Sequence, residues 1–352
     1  MRKQVGIFVA AVLYYSGLVG LARWLMQQRG SHLIILNYHR ASTGDLYRHL
    51  LYLRRHYRVL HLEEALEELF QPDRDKQKRQ DRRTPLVVTF DDGYYDMYTH
   101  AFVLARKLQV PISIFLIPGY IENKKRFWWK EGRYLAQHTQ VEQITIAERT
   151  YQLRDPAERV LLAQSIDHSL RHARSVIERE ESLSRFRQVL GVPDERAEEQ
   201  EKDRSIGWEE AREMQQSGRV SFGAHTMHHP VLAYMSDADE VRYEIGECRQ
   251  KLEQNLSRPV YVFAYPIGKT EHIDETAIQA VRDAGYRWAV TTLRGINTPD
   301  SDPYQLRRVA SEVSRHWLVM AAETSGIWYL FSPVWKAILD KEKVSNLIKG
   351  FL

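Results

Sequence analysis

Short apolar runs and amphipathic stretches alternate along most of the chain. The apolar runs fall at 32–38 (HLIILNY), 86–90 (LVVTF), 112–117 (ISIFLI), 219–224 (RVSFGA), 260–264 (VYVFA), 288–292 (WAVTT) and 306–309 (LRRV). Each has the length of a strand, and a run as continuously apolar or β-branched as LVVTF suits a strand buried on both faces. Helical patterns lie between most of them, including 62–70 (LEEALEELF), Asp237 to Asn255, and Asp274 to Ala284 with Gly285 closing it. Strands alternating with helices predict a parallel sheet of the α/β class. About seven such units predict a barrel over residues 31–315.

Three segments depart from this rhythm. Residues 127–207 carry long charged helical stretches such as Asp155 to Glu181 and end in the polar run Pro193 to Arg204, which predicts a helical insertion, either a lid or a partner surface. Residues 316–352 form an aromatic-rich tail that could pack on its own domain or lie at a membrane interface. Residues 1–30 begin with Arg2 and Lys3, followed by a charge-free run from Val5 to Ala22 that is long enough to cross a bilayer as a helix. The basic start favours an anchor with the catalytic part outside the cytoplasm. A cleaved signal segment ending near Gly20-Leu21-Ala22 is the alternative, and a buried helix is a third.

Charge and cysteine content narrow the chemistry. Fifty basic residues against 46 acidic ones leave a net +4, and the densest basic stretch, Asp73 to Arg83, has acids mixed in, so it reads as a solvated loop and no nucleic-acid partner is expected. Cys248 is the only cysteine, which excludes a disulfide framework and any multi-cysteine zinc site. His, Asp and Glu are left as metal ligands.

Asp91 and Asp92 follow directly on LVVTF, at the strand end where barrels of this class keep their chemistry. Asp-Gly is also common turn chemistry. Two adjacent carboxylates repel each other unless a cation neutralises one of them. At the end of another strand stands HTMHHP, with His225 and His229 four residues apart; in a helical turn they would share a face and reach one ion. With Asp92 they make a two-His, one-carboxylate set that leaves positions open for water and substrate. Asp91 is then free to serve as a base.

TFDDG, HTMHHP and FAYPIG (Phe263 to Gly268) together resemble the NodB-homology polysaccharide deacetylases, carbohydrate esterase family 4, over roughly Leu33 to Val309. The resemblance implies that Asp91 is the general base, that Asp92, His225 and His229 bind one divalent ion such as Zn2+, and that Tyr265 and Pro266 line the substrate site. It also implies a distorted (β/α) barrel of about seven strands in which the backbone N–H of Ile267 binds the oxyanion. The implied reaction is hydrolysis of N-acetyl groups on an N-acetylhexosamine polysaccharide at the cell surface. Ala264 stands where many members carry an arginine that orients the base, and no Leu-Leu-His-Asp follows near the C-terminus. Instead IILNYH places His39 at the tip of the first strand, which resembles the circularly permuted branch acting on poly-N-acetylglucosamine and implies His39 as the general acid. A catalytically silent glycan-binding or assembly protein, and a hydrolase of small amides or cyclic imides, remain alternatives.

Overall fold

The computed structural model describes residues 2–42, 44–71, 81–146, 148–193 and 203–327. The strands are β1 (Ile34–Tyr38), β2 (Arg58–Val59), β3 (Pro85–Phe90), β4 (Ile112–Leu116), β5 (Gln143–Ile146), β6 (Arg149–Gln152), β7 (Val220–Ala224), β8 (Val262–Ala264), β9 (Trp288–Arg294) and β10 (Leu306–Ala310). The helices are α1 (Arg2–Tyr15), α2 (Leu18–Gln27), α3 (Leu46–His56), α4 (Leu62–Phe70), α5 (Val103–Leu108), α6 (Pro118–Asn123), α7 (Trp128–His138), α8 (Pro156–Arg171), α9 (Val176–Leu190), α10 (Trp208–Gln216), α11 (Ala238–Leu256), α12 (Glu275–Asp283) and α13 (Trp317–Thr324).

Seven parallel strands close into a barrel in the order β1-β10-β9-β8-β7-β4-β3, with β3 pairing back onto β1 and the short β2 attached outside β3. Strand alternation sorts the side chains. Leu33, Ile35, Val87, Phe115, Val262, Ala264, Val290 and Leu306 form one apolar cluster with α4, whose Leu62, Ala65, Leu66 and Leu69 join it. Their strand neighbours Ile34, Leu36, Leu86, Val88, Ile114 and Phe263 belong to a second, larger cluster with the surrounding helices. A period of two therefore fixes which residues face the barrel axis. One glycine is required by this packing: a Cβ at Gly223 would collide with the Phe115 ring, which fills the axis beside it.

The insertion differs from its sequence expectation in two respects. The stretch Asp155 to Glu181 is two helices rather than one: α8 ends at Arg171, and Ser175 caps α9 by accepting the Glu178 N–H. Ahead of them lies an antiparallel hairpin, β5–β6, which sequence reading did not foresee. Its strands are short and largely exposed, so they show no apolar run.

The N-terminal apolar run is also broken. Gly17 takes a left-handed backbone (φ 82°), and the pair Gln4–Tyr15 and Leu18–Gln27 bends by 69°. Among the described residues no single helix is long and apolar enough to cross a membrane. One side of the pair packs against α13, with Val19 and Ala22 against Ala322 and Ile327, and Tyr14 edge-on to Trp317 at 5.0 Å. The start of the C-terminal tail is therefore docked on the N-terminal helices. The remainder of that tail, most of the polar run Pro193 to Arg204 and most of the basic stretch Asp73 to Arg83 lie outside the described residues.

Candidate metal and acid–base site

The barrel's C-terminal mouth gathers Asp91, Asp92, His225, His229 and His39. Asp91 continues β3 in the inward register of Val87 and Thr89, and its N–H donates to the Tyr38 carbonyl at 2.9 Å. Asp92 then leaves the strand with φ 75°. Thr226, His229 and Ile267, at φ 63°, 56° and 60°, share this left-handed backbone. Half of the eight non-glycine residues with positive φ among those described thus sit in the loops of this mouth. For β-branched Thr226 and Ile267 that conformation is strained and persists only because the surroundings impose it.

Asp92, His225 and His229 are buried, and one donor atom from each lies within 4.8 Å of the others. The Nε2 atoms of His225 and His229 stand 3.6 and 3.7 Å from Asp92 Oδ1. His225 Nδ1 lies 2.6 Å from the Ala264 carbonyl. A carbonyl only accepts, so Nδ1 carries the proton and the Nε2 lone pair faces the ion position. The donor set fits one divalent ion with open positions. Burial, then the neighbouring His225, pushes His229 down to about 3, which keeps it a neutral ligand at ordinary pH. Burial favours the neutral acid for Asp92, but His225 and His229 hold it below the usual carboxylate range.

The expected helical turn is absent. His225 directly follows β7, and the chain then reverses at Thr226, whose Oγ1 accepts the His229 N–H at 2.8 Å. The two imidazoles converge through this loop, with ring centroids 4.7 Å apart. His228 is turned away onto α11, where buried Glu244 accepts its backbone N–H at 2.8 Å and lies 2.6 Å from its Nδ1.

The arginine missing at Ala264 is supplied from another strand. Arg308 of β10, with no exposed surface, donates from Nη1 and Nη2 to the two Asp91 oxygens at 2.8 Å each, and from Nε to the Thr291 carbonyl at 2.7 Å. Burial would raise the Asp91 pKa, but Arg308, then His225, hold it well below the usual carboxylate range. The signal was present in LRRV: alternation must turn one of two adjacent arginines into the barrel, where it needs an anion.

His39 reaches the same place from β1. Its Nε2 lies 3.9 Å from Asp91 Oδ2 and its Nδ1 3.7 Å from Glu312 Oε1. Burial disfavours its charged form, but Glu312, Asp91 and Asp92 outweigh that and raise the imidazole to about 9. Solvent reaches 43% of the side chain and screens these charges. Asp96, which sequence reading left without a role, fixes the loop after His39 by accepting from Arg40 Nε, Ala41 N, Ser42 N and Ser42 Oγ. Trp128 and Trp129 were likewise missed: Trp128 Nε1 donates to the His229 carbonyl at 2.9 Å, and Trp129 lies 4.4 Å from the His229 ring.

The FAYPIG loop divides. Tyr265 shares the register of Phe263, faces the helical layer and is fully buried, so it does not line the site as the resemblance implied. Strand alternation is the reason. Pro266 is buried at the turn. The Ile267 carbonyl accepts from Thr292 Oγ1 at 2.7 Å, and its N–H has no acceptor among the described residues.

A closed parallel barrel thus carries at its C-terminal mouth a buried Asp-His-His set that could hold a metal ion, beside an arginine-clamped carboxylate. Residues 78–289, more than half of the chain, match the family model described as Polysaccharide deacetylase, and the chain belongs to that family. YxkH of Bacillus subtilis (strain 168), whose name places it in the same family, is 29% identical over 124 residues, a match spanning 33% of this chain and 42% of that protein. Two solved structures share the fold at 18% identity. IcaB from Ammonifex degensii has a TM-score of 0.54 and covers 84% of this chain and 98% of its own. The Streptococcus pyogenes deacetylase PplD, in complex with acetate, has a TM-score of 0.51 with coverages of 80% and 92%.

Proposed function

We propose that this protein removes N-acetyl groups hydrolytically from an N-acetylhexosamine polysaccharide of the cell envelope, in the manner of the permuted branch of the family. The observation that carries the reading is the division of labour between adjacent aspartates: Asp92 faces His225 and His229, while Asp91 is clamped by Arg308. A divalent ion such as Zn2+, held by Asp92, His225 and His229, would polarise the acetamide carbonyl and acidify a water. Asp91, kept ionised by Arg308, accepts the proton of the water that adds to the carbonyl carbon. The Ile267 N–H donates to the developing oxyanion. His39 protonates the amine as the C–N bond breaks, giving acetate and a free amino sugar. Because β1 lies between β10 and β3, a strand at the start of the sequence delivers this acid.

A silent binding protein would have no use for a clamped, ionised carboxylate beside the ion position, so the clamp favours turnover. The test is acetate release from a panel of acetylated glycans before chelation, after it, and after Zn2+ is restored. Release is expected to vanish and return, with about one ion per chain under the three-ligand scheme. Full occupancy after His225→Ala plus His229→Ala would overturn the ligand assignment, whereas His228→Ala is expected to keep the ion.

We further propose that the N-terminal pair rests in the membrane surface and holds the barrel outside the cytoplasm. Val5, Phe8, Val12 and Tyr15 of α1 and Leu18, Leu21 and Trp24 of α2 are exposed, at spacings of three to four residues within each helix. No acid precedes Asp45, while Arg2, Lys3, Arg23 and Arg29 are basic. An apolar face with basic flanks suits an anionic lipid surface.

A further inference from the structure

Beside Trp128, α6, α7 and α9 line a partly open cavity of about 130 Å³ that His228 also borders, several times what one water requires. Lys125, Arg126, Arg179 and Arg187 line it together with the carboxylates of Glu131 and Glu180. Arg187 and Arg126 share Glu131, at 2.9 and 3.6 Å. Lys125 and Arg179 share Glu180, at 3.1 and 3.6 Å.

Arg179 is the anomaly. Its side chain is 3% exposed, and its guanidinium makes no hydrogen bond among the described residues; its contacts are the 3.6 Å pair with Glu180 and a position 5.8 Å from the Trp128 ring centroid. A buried cation without hydrogen-bond acceptors is costly to keep. Lys125 draws the other oxygen of that carboxylate at the shorter distance. A planar, five-donor group lining a cavity with three other basic side chains is an arrangement that recognises an oxyanion through paired hydrogen bonds.

We propose that this cavity binds an oxyanion of the phosphate or carboxylate class, separate from the Asp92, His225 and His229 set. Trp128 forms the partition: its indole N–H holds the His229 carbonyl, and its ring borders the cavity. An anion there adds the acceptors that Arg179 lacks and fixes the insertion against the site wall. Its source is either free phosphate or a charged substituent on the glycan, and only the second rests on the deacetylase reading.

The first arm is a thermal-shift titration of the metal-loaded protein with inorganic phosphate against chloride at matched ionic strength. The Tm of the wild-type protein is expected to climb with phosphate concentration, as binding to the folded state requires. Arg179→Met is expected to abolish the climb, and Arg179→Lys, which keeps the charge, to restore part of it. Glu180→Gln, which removes a competing carboxylate, is expected to tighten phosphate binding several-fold, a gain that a damaged fold cannot imitate. Absence of a climb in the wild-type protein, or an equal climb in Arg179→Met, overturns the proposal. The second arm compares KM for neutral and carboxylate- or phosphate-bearing N-acetylglucosamine oligomers. A rise of about tenfold or more in Arg179→Met confined to the charged oligomer assigns the anion to the polymer, and unchanged KM values assign it to free phosphate.

Discussion

At the scale of single residues, the proposed acid–base chemistry rests on the Arg308–Asp91 pair. Both groups are buried, so removing one partner leaves an uncompensated charge at a cost of about 3–5 kcal/mol. Arg308→Met is expected to lose that much stability in denaturant titrations and most of its turnover. Arg308→Lys keeps the charge but not the two-pronged hydrogen bond, so it should fold, lose on the order of 10-fold or more in kcat, and move the acid limb of the pH profile upward as the Asp91 pKa rises. Unchanged pH profiles in Arg308→Lys would mean that the pair is only structural. In the proposed mechanism His39 supplies the opposite limb. Its charged form is favoured in the fold, so an acid role is intact at neutral pH and is lost as pH rises through about 9; a bound cation nearby shifts that limb downward. Glu312→Gln removes the partner that raises His39 and is expected to move the alkaline limb to lower pH, measured as kcat against pH. A limb that stays fixed in this variant would separate His39 from the observed titration.

At the scale of elements, apolar periodicity located all seven barrel strands to within about two residues at most of their ends, as well as the helices 62–70, 238–256 and 275–283. Burial of β1, β3, β4 and β8 on both faces made the signal strong. The insertion was harder, because its helices present charged surfaces and its hairpin is largely exposed. What holds it together is close approach: a Cβ on Gly132 of α7 would collide with the Ala163 carbonyl and the Asp167 carboxylate of α8. Gly132→Ala is expected to destabilise the protein by about 1–3 kcal/mol, read as a lower midpoint in urea. An unchanged midpoint would show that α7 and α8 can separate freely. Asp167 adds a pH signature at this contact. Burial raises it to about 6, so the stability of the contact is highest below about 3.8 and falls as pH rises through 6.

For the whole molecule, the decisive feature is that the bent pair α1–α2 is docked on α13 by one side and presents its apolar stripe outward. Wild-type protein is expected to float with vesicles containing anionic lipid, and Phe8→Ser, Val12→Ser and Trp24→Ser combined to remain behind with the barrel still folded. A reagent outside the vesicles is expected to reach residues near both ends of the pair. Protection of the N-terminal end alone would indicate a span instead of a surface helix.

Chemistry that follows from local order was legible in the sequence. The Asp-Asp pair after an apolar strand, the two histidines after another and His39 after a third pointed to one candidate site, because strand ends of one barrel must meet at one mouth. Register and long-range placement were decided only by the tertiary structure. Closure of β3 onto β1 brings His39 to Asp91, the inward turn of Arg308 replaces the arginine absent at Ala264, and the outward turn of Tyr265 removes it from the site. Each depends on which face of a strand a residue occupies and on which strand lies beside it. A linear pattern of period two leaves both undetermined until the barrel closes.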